Sequence, residues 1–383
     1  MNRSLRSFKV PAAFAFTFVF VALLSVNARG SVLVPANDPN LQYRGRFDFT
    51  DPRAPRFDWS AVSISARFQG ARVGILLDDG KNDYAAYIDG KVRKVIVTGT
   101  NTQYDLTGLP KGTHNLVLVK RTEASFGIAT FKGLVLEDGT TLLPLDPPPS
   151  RRIEVIGDSL ACGAEDEDEN TDCDQAHQRP TENGDLAYGP LAARALCADV
   201  RVIAYSAKGM VVNAWDPPGL PPAPLPVLYP RVLANSPTPA LDPKSWVPDA
   251  VVVELGGNDF FAKTRPSRDE FEDGYRRFLS VLRADYPKAH VFCVSFSNSF
   301  PLEGYVKEVV DQENRAGDGQ VGFMELTYPW QDRTGCYSHP TLKGQQRICD
   351  GLVEALKKGM GWGDCDPKAT AGTRAVTPTP GKP

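Results

Sequence analysis

The sequence is sparing in the residues that mark several function classes. No two of its seven cysteines stand at Cys-x-x-Cys spacing, so zinc ribbons and related metal folds are excluded. No block of Lys or Arg occurs, and no nucleic-acid motif, so a nucleic-acid partner is not expected. Past the N-terminal segment no apolar run reaches the length of a membrane span. The acidic run 165–174 lacks the Gly and Glu spacing of a calcium loop and reads as a solvated loop. No cluster of ligand-type side chains offers a site for a metal or an organic cofactor, and none is expected. Histidines are also scarce: His114, His177, His290 and His339 are the whole set, so each can be weighed as a catalytic base in turn.

What is present begins with a targeting segment. Arg3, Arg6 and Lys9 precede the apolar stretch Ala12 to Leu24, and Val26-Asn27-Ala28 places a small residue before a cleavage site. The stretch is short for a span. A secretory signal peptide over 1–28 is therefore expected, and with it a secreted protein without membrane contact after cleavage. Its loss removes three positive charges from a chain of formal net charge −3. Hydrophobic content of 42% and charged content of 23% fit a globular protein with a full core, and 383 residues favour two domains. Export permits disulfides. Cys293 lies in an apolar strand-like run and reads as a buried free thiol. Among the other six, local pairs Cys162–Cys173 and Cys336–Cys349 are expected, leaving Cys197–Cys365.

Residues 37–145 read as all-β. Val62 to Phe68 alternates apolar and polar residues, and Tyr84–Ile88, Val92–Val97, Leu116–Val119 and Thr130–Leu136 add strands between Gly-containing turns. A β-sandwich of jelly-roll type is expected. Arginines mixed with aromatics over Tyr43–Phe47 and Arg56–Trp59 could face a sugar, but packing at an interface is the favoured reading. Asp146-Pro147-Pro148-Pro149-Ser150 is a stiff connector. Residues 151–362 then alternate helices with continuous apolar strands, the pattern of a parallel sheet covered on both faces, so the overall class is α/β. A Pro-rich loop spans Pro217 to Pro239, and residues 366–383 have the composition of a disordered tail.

The second domain opens on Ile153-Glu154-Val155-Ile156-Gly157-Asp158-Ser159-Leu160, a strand that stops at a glycine and delivers a serine where a helix can start. Three later loops follow strand ends or precede the last helix: Lys208-Gly209, Gly257-Asn258-Asp259 and Gly335-Cys336-Tyr337-Ser338-His339-Pro340. Open α/β sheets place their sites at that edge. Acyl transfer needs a nucleophile, a base and donors aimed at an oxyanion. Ser159 and His339 are the nucleophile and base candidates. The Ser159 and Gly209 N–H groups and the Asn258 amide are the oxyanion donors. Asp158 and Asp259 read as structural, fixing turns. Trp215, Trp330 and Tyr337 are candidates to line a sugar subsite.

These four blocks in order resemble the Gly-Asp-Ser-Leu esterases, the SGNH hydrolases, and the β-domain in front with the Gly-Cys-x-x-His-Pro block resembles carbohydrate esterase family 2. The resemblance implies a jelly-roll domain before an SGNH-hydrolase α/β/α domain, with Ser159, Gly209, Asn258 and His339 in the four catalytic roles. It implies a serine esterase that removes acetyl groups from a polysaccharide such as xylan or glucomannan. One position departs from the group, whose aspartate two or three residues before the histidine is replaced by Tyr337 and Cys336. A backbone carbonyl or Asp332, the nearest upstream carboxylate, is then expected to orient His339. A lipase or lysophospholipase would use the same blocks, and a glycan-binding protein with an inactive hydrolase domain is the non-enzyme alternative. The partner is an acetylated polysaccharide or oligosaccharide, and a monomer is expected.

Overall fold

The computed structural model describes residues 30–169, 175–216, 219, 222–297 and 299–365. The expected signal peptide, the tail and Cys173 lie outside them. No helix among the described residues is long and apolar enough to cross a membrane.

Alternating apolar residues build eleven short strands in the first part of the chain. They are β1 (Ser31–Pro35), β2 (Gln42–Arg44), β3 (Arg56–Phe57), β4 (Ser63–Gly70), β5 (Val73–Asp78), β6 (Asp83–Ile88), β7 (Lys91–Val97), β8 (Gln103–Leu106), β9 (Gly112–Lys120), β10 (Ala129–Glu137) and β11 (Leu142–Leu143). They form two antiparallel sheets, ordered β1-β10-β5-β8 with β3 beside β10, and β11-β4-β9-β6-β7 with β2 beside β4. Ile64, Phe68, Ile75, Phe131 and Leu134 from both sheets share one buried core. The edge strand β7 leaves Val92, Val95 and Val97 exposed. Lys91, Arg93 and Lys94 on the same strand supply the charge that discourages edge-to-edge pairing.

The second part contains β12 (Arg151–Gly157), α1 (Ser159–Cys162), α2 (Gln175–Thr181), α3 (Tyr188–Ala195), β13 (Ala198–Ala204), α4 (Leu225–Leu228), β14 (Arg231–Leu233), β15 (Ser236–Ala240) and β16 (Ala250–Glu254). It continues through α5 (Gly257–Phe261), α6 (Arg268–Asp285), β17 (His290–Phe296), α7 (Leu302–Ala316), β18 (Val321–Leu326) and α8 (Leu342–Met360). Five strands make a parallel sheet in the order β13-β12-β16-β17-β18. The chain leaves β12 to one side for β13 and later returns to the other side for β16. The crevice between the C-terminal ends of β12 and β16 is therefore the switch point where such sheets bind ligands.

Two local expectations are corrected. The Pro-rich stretch is not a plain loop, because it holds α4 and the β14–β15 hairpin, whose first strand and turn are tied to the two-sheet region. Of the disulfides, Cys197–Cys365 is present, with Cα atoms 5.4 Å apart. The local pairs are not: Cys162 and Cys349 are buried free thiols, as is Cys293. Cys162 Sγ lies on Glu123 Oε2 at 3.2 Å, and Cys349 takes a core position of α8 beside Ile348 and Leu352. Cys336 is disulfide-bonded.

The two parts meet over polar, buried ground. Arg46 is buried between Trp59 and Tyr229, with its guanidinium 5.9 and 4.8 Å from their ring centroids. It reaches Glu154 Oε1 of β12 at 3.2 Å and donates to the Tyr229 and Arg231 carbonyls. The Tyr229 hydroxyl donates to Glu154 Oε2 at 2.7 Å. Trp59 Nε1 donates to Val232 O, and Asp58 accepts the N–H groups of Ala234 and Asn235. Around Arg46 and Trp59, then, the arginine–aromatic mixture is interface packing rather than a sugar-facing surface.

Removing one partner of a buried ion pair leaves the other charge uncompensated, at about 3–5 kcal/mol. Arg46→Met is expected to lower the unfolding free energy by that order in chemical denaturation. A loss below about 1 kcal/mol would show that the pair does not hold the two parts together.

Candidate active site

The site starts from the end of β12. Gly157 is required by close approach, since a Cβ there would come within 2.6 Å of Ala161 Cβ and 3.1 Å of Glu254 Oε2. Asp158 caps α1, its side chain accepting the Leu160 N–H at 3.1 Å. This leaves Ser159 at the first position of α1, largely buried, with its Oγ 2.9 Å from His339 Nε2. His339 ends a short turn before α8, and Gln345 of α8 locks the two pieces together. Its Nε2 donates to Leu160 O at 3.0 Å and its Oε1 accepts the Tyr188 N–H at 2.9 Å.

The donor candidates converge on the same crevice. Asn258 lies at the start of α5, just past β16, with Nδ2 3.0 Å from Asp158 Oδ2 and 3.1 Å from Lys208 O. Asp259 accepts the N–H groups of Met210, Val211 and Val212 at 2.7, 2.7 and 2.9 Å and so shapes the loop that carries Gly209. Gly209 has no room for a side chain: a Cβ would stand 1.9 Å from Val212 O and 2.4 Å from Asp259 Oδ2. Its N–H donates to Asn213 Oδ1 at 3.2 Å. Asp158 and Asp259 thus have the structural work expected of them.

The expected orienting carboxylate is corrected. Asp332 is buried but turned to α8, where its Oδ2 lies 2.5 Å from Arg347 Nε and its Oδ1 3.9 Å from Lys343 Nζ. The carboxylate that reaches His339 is Glu165, whose Oε2 is 2.6 Å from Nδ1. The approach is off-axis, at ion-pair distance without hydrogen-bond geometry, and among the described residues no backbone carbonyl accepts from Nδ1. The acidic run is accordingly not a solvated loop at its start, because Glu165 and Asp166 are 4% and 1% exposed. The spacing of six residues from Ser159 is visible in the sequence, but not the turn that folds this segment under the histidine.

Of the sugar-contact candidates, Trp215 lies in the chain after β13 and Tyr337 two residues before His339, and both are exposed. The Trp330 side chain lies outside the described part. His114 is engaged elsewhere, between Asp89 Oδ2 and Pro110 O. Among the described residues no group of three or more His, Cys, Asp and Glu is arranged to hold a metal. The assembled geometry, a serine against an imidazole with backbone and amide donors at a sheet switch point, can carry out acyl transfer.

Comparison with known proteins agrees with this geometry. Residues 43–148 match the family model "carbohydrate esterase 2 N-terminal", and residues 155–347 match the GDSL-like lipase/acylhydrolase family. The chain is 34% identical over 339 residues to the cellulase/esterase CelE of Acetivibrio thermocellus, covering 85% of this chain but 40% of that protein's length. It is 29% identical to an acetylxylan esterase / glucomannan deacetylase of Cellvibrio japonicus, covering 88% of this chain and 92% of that one. A family two carbohydrate esterase from Clostridium thermocellum, solved with cellohexaose, superposes with a TM-score of 0.76 at 32% identity, over 84% of this chain and 99% of that one.

Burial raises the Asp158 carboxyl from 3.8 to about 6, against the lowering pull of the Leu160 N–H and His339. The folded state then holds a proton that the unfolded state has lost. The stabilisation it brings is complete below pH 3.8 and disappears as the pH rises through about 6. Asp158→Asn should flatten the fall of unfolding free energy across that window, measured by denaturation at a series of pH values. A slope unchanged from wild type would contradict the assignment.

Proposed function

Because the chain belongs to the GDSL-like acylhydrolases and, within them, to carbohydrate esterase family 2, we propose that it is a secreted serine esterase that removes acetyl groups from a polysaccharide of xylan or glucomannan type. The observation that carries this reading is the 2.9 Å contact between Ser159 Oγ and His339 Nε2 at the switch point. His339 takes the Ser159 proton as Oγ attacks the acetyl carbon, forming a tetrahedral oxyanion. Collapse expels the sugar hydroxyl, which receives that proton from His339. His339 then deprotonates a water that attacks the acyl-enzyme, and as the second tetrahedral intermediate collapses to acetic acid His339 returns that proton to Ser159 Oγ.

The oxyanion is met by the Ser159 N–H. The Gly209 N–H and the Asn258 amide join it by exchanging their resting acceptors, Asn213 Oδ1 and Lys208 O, for the stronger charge. Support for a sugar substrate comes from the Cellvibrio relatives, named for acetylxylan and glucomannan, and from the exposed rings of Trp215 and Tyr337. The Cys197–Cys365 disulfide fits an oxidising compartment. The enzyme acts as a monomer on a soluble or wall-bound glycan.

Acetate release from acetylated xylan and glucomannan tests the reading. Ser159→Ala should reduce it at least ~10³-fold, and Gly209→Ala, which has no space for its methyl, by ~10²–10³-fold. Preference for long-chain over acetyl esters would favour a lipase instead. Glycan retention without acetate release from folded wild type would favour a binding protein.

A further inference from the structure

Five consecutive carboxylates, Glu165 to Glu169, follow the nucleophile helix. Such a run belongs in solvent, yet its first two members are buried, so something must hold them there. Glu165 itself has a φ of +49°, a left-handed conformation that a glutamate keeps only where its surroundings impose it.

The surroundings do so from two sides. From the His339 side, the Leu342 N–H at the start of α8 donates to Asp166 O at 2.8 Å. Gly335 lies so close that a Cβ would meet Asp168 O at 3.1 Å and Glu165 O at 3.5 Å. From the two-sheet region comes Arg121, one residue past β9. Its Nη2 is 2.5 Å from Glu167 Oε2, and its Nε donates to Glu182 O at 3.3 Å. Asn183 Nδ2 completes the clamp on Glu167 Oε1 at 2.7 Å, and the Gly184 N–H donates to Arg121 O at 2.7 Å. The carboxyl of the neighbouring Asp166 is pushed well above its ordinary value by burial and then by the charge of Glu167.

We propose that Glu165 is the positioning residue that orients His339 and balances its charge during attack, and that Arg121 holds it in reach from the two-sheet region. The proposal rests on Ser159 and His339 acting as nucleophile and base. Glu165 Oε2 already lies 2.6 Å from His339 Nδ1. Rotation of the carboxylate brings the pair into line once the imidazole is protonated, when attraction is strongest. The two-sheet region is on this account part of the catalytic apparatus rather than an appendage.

The test compares wild type, Glu165→Gln, Glu167→Gln, Asp332→Asn and Ser159→Ala as full chains on a small acetyl ester, with kcat and KM separated and the imidazole Nδ1–H observed by proton NMR. Glu165→Gln should lower kcat at least ~10²-fold with KM within about twofold, and abolish a far-downfield Nδ1–H resonance present in wild type once the pH is low enough to protonate His339. Glu167→Gln, an exposed change that loosens the Arg121 clamp, should give a smaller kcat loss and a weakened resonance. Asp332→Asn should retain both. If Ser159→Ala is inactive while Glu165→Gln keeps wild-type kcat and resonance, Glu165 is not the orienting group. Absence of the resonance from wild type would overturn the proposal even if Glu165→Gln failed to fold. Activity surviving in Ser159→Ala would instead remove the reading beneath it.

Discussion

A hydrogen bond of 2.9 Å between Ser159 and His339 joins segments 180 residues apart, and most of the hydrolase half serves to keep that distance. The serine is fixed by a strand that ends against a neighbour too close for any residue but glycine, and by the Asp158 cap. The histidine is fixed by the turn before α8, and Gln345 ties that helix to the backbone of the nucleophile helix and to α3. Sheet order then brings in the third partner, because β12 and β16 are neighbours and Asn258 follows β16 directly. None of these contacts is strong alone, at about 1 kcal/mol net for an ordinary hydrogen bond. Together they remove the freedom that the Ser159 and His339 side chains would otherwise lose on meeting.

The site is also unusually rich in buried acid. Burial raises Asp158, Asp166, Glu182 and Glu254 above the ordinary carboxylate range. At the seam, Asp58 is pushed up to about 6 and Lys120 down to about 8 for the same reason. Desolvated charge of this kind weakens the fold. Two of these groups serve a neighbour directly: Asp58 holds the turn after β14, and Asp158 holds both Leu160 and Asn258. The seam between the two parts is built from such polar contacts as well as from apolar surface.

Much of this was legible in the sequence. The strands His290–Phe296 and Val321–Leu326 were readable to the residue, because continuous apolar runs bounded by turn residues leave few alternatives. Ser159, Gly209, Asn258 and His339 stood out because each sits in a turn at a strand or helix end, and the structure gathers them at one edge of the sheet. Glu165 did not stand out, since an acidic run reads as solvated until a distant guanidinium and a distant imidazole are seen to flank it. Cys197–Cys365 forms as expected, but the two local disulfides do not, for a related reason. Closeness in sequence was taken for closeness in space, whereas Cys349 takes a core position of α8. The β14–β15 hairpin was hidden by prolines that its ladder tolerates.

The most direct test of the account is covalent capture of the nucleophile. Wild type treated with a fluorophosphonate should gain the mass of one phosphonyl group, located by peptide mapping on Ser159, at a rate that falls sharply in His339→Ala. Labelling at another residue, or labelling of Ser159 at an unchanged rate without His339, would contradict the claim that these two side chains form the reactive pair.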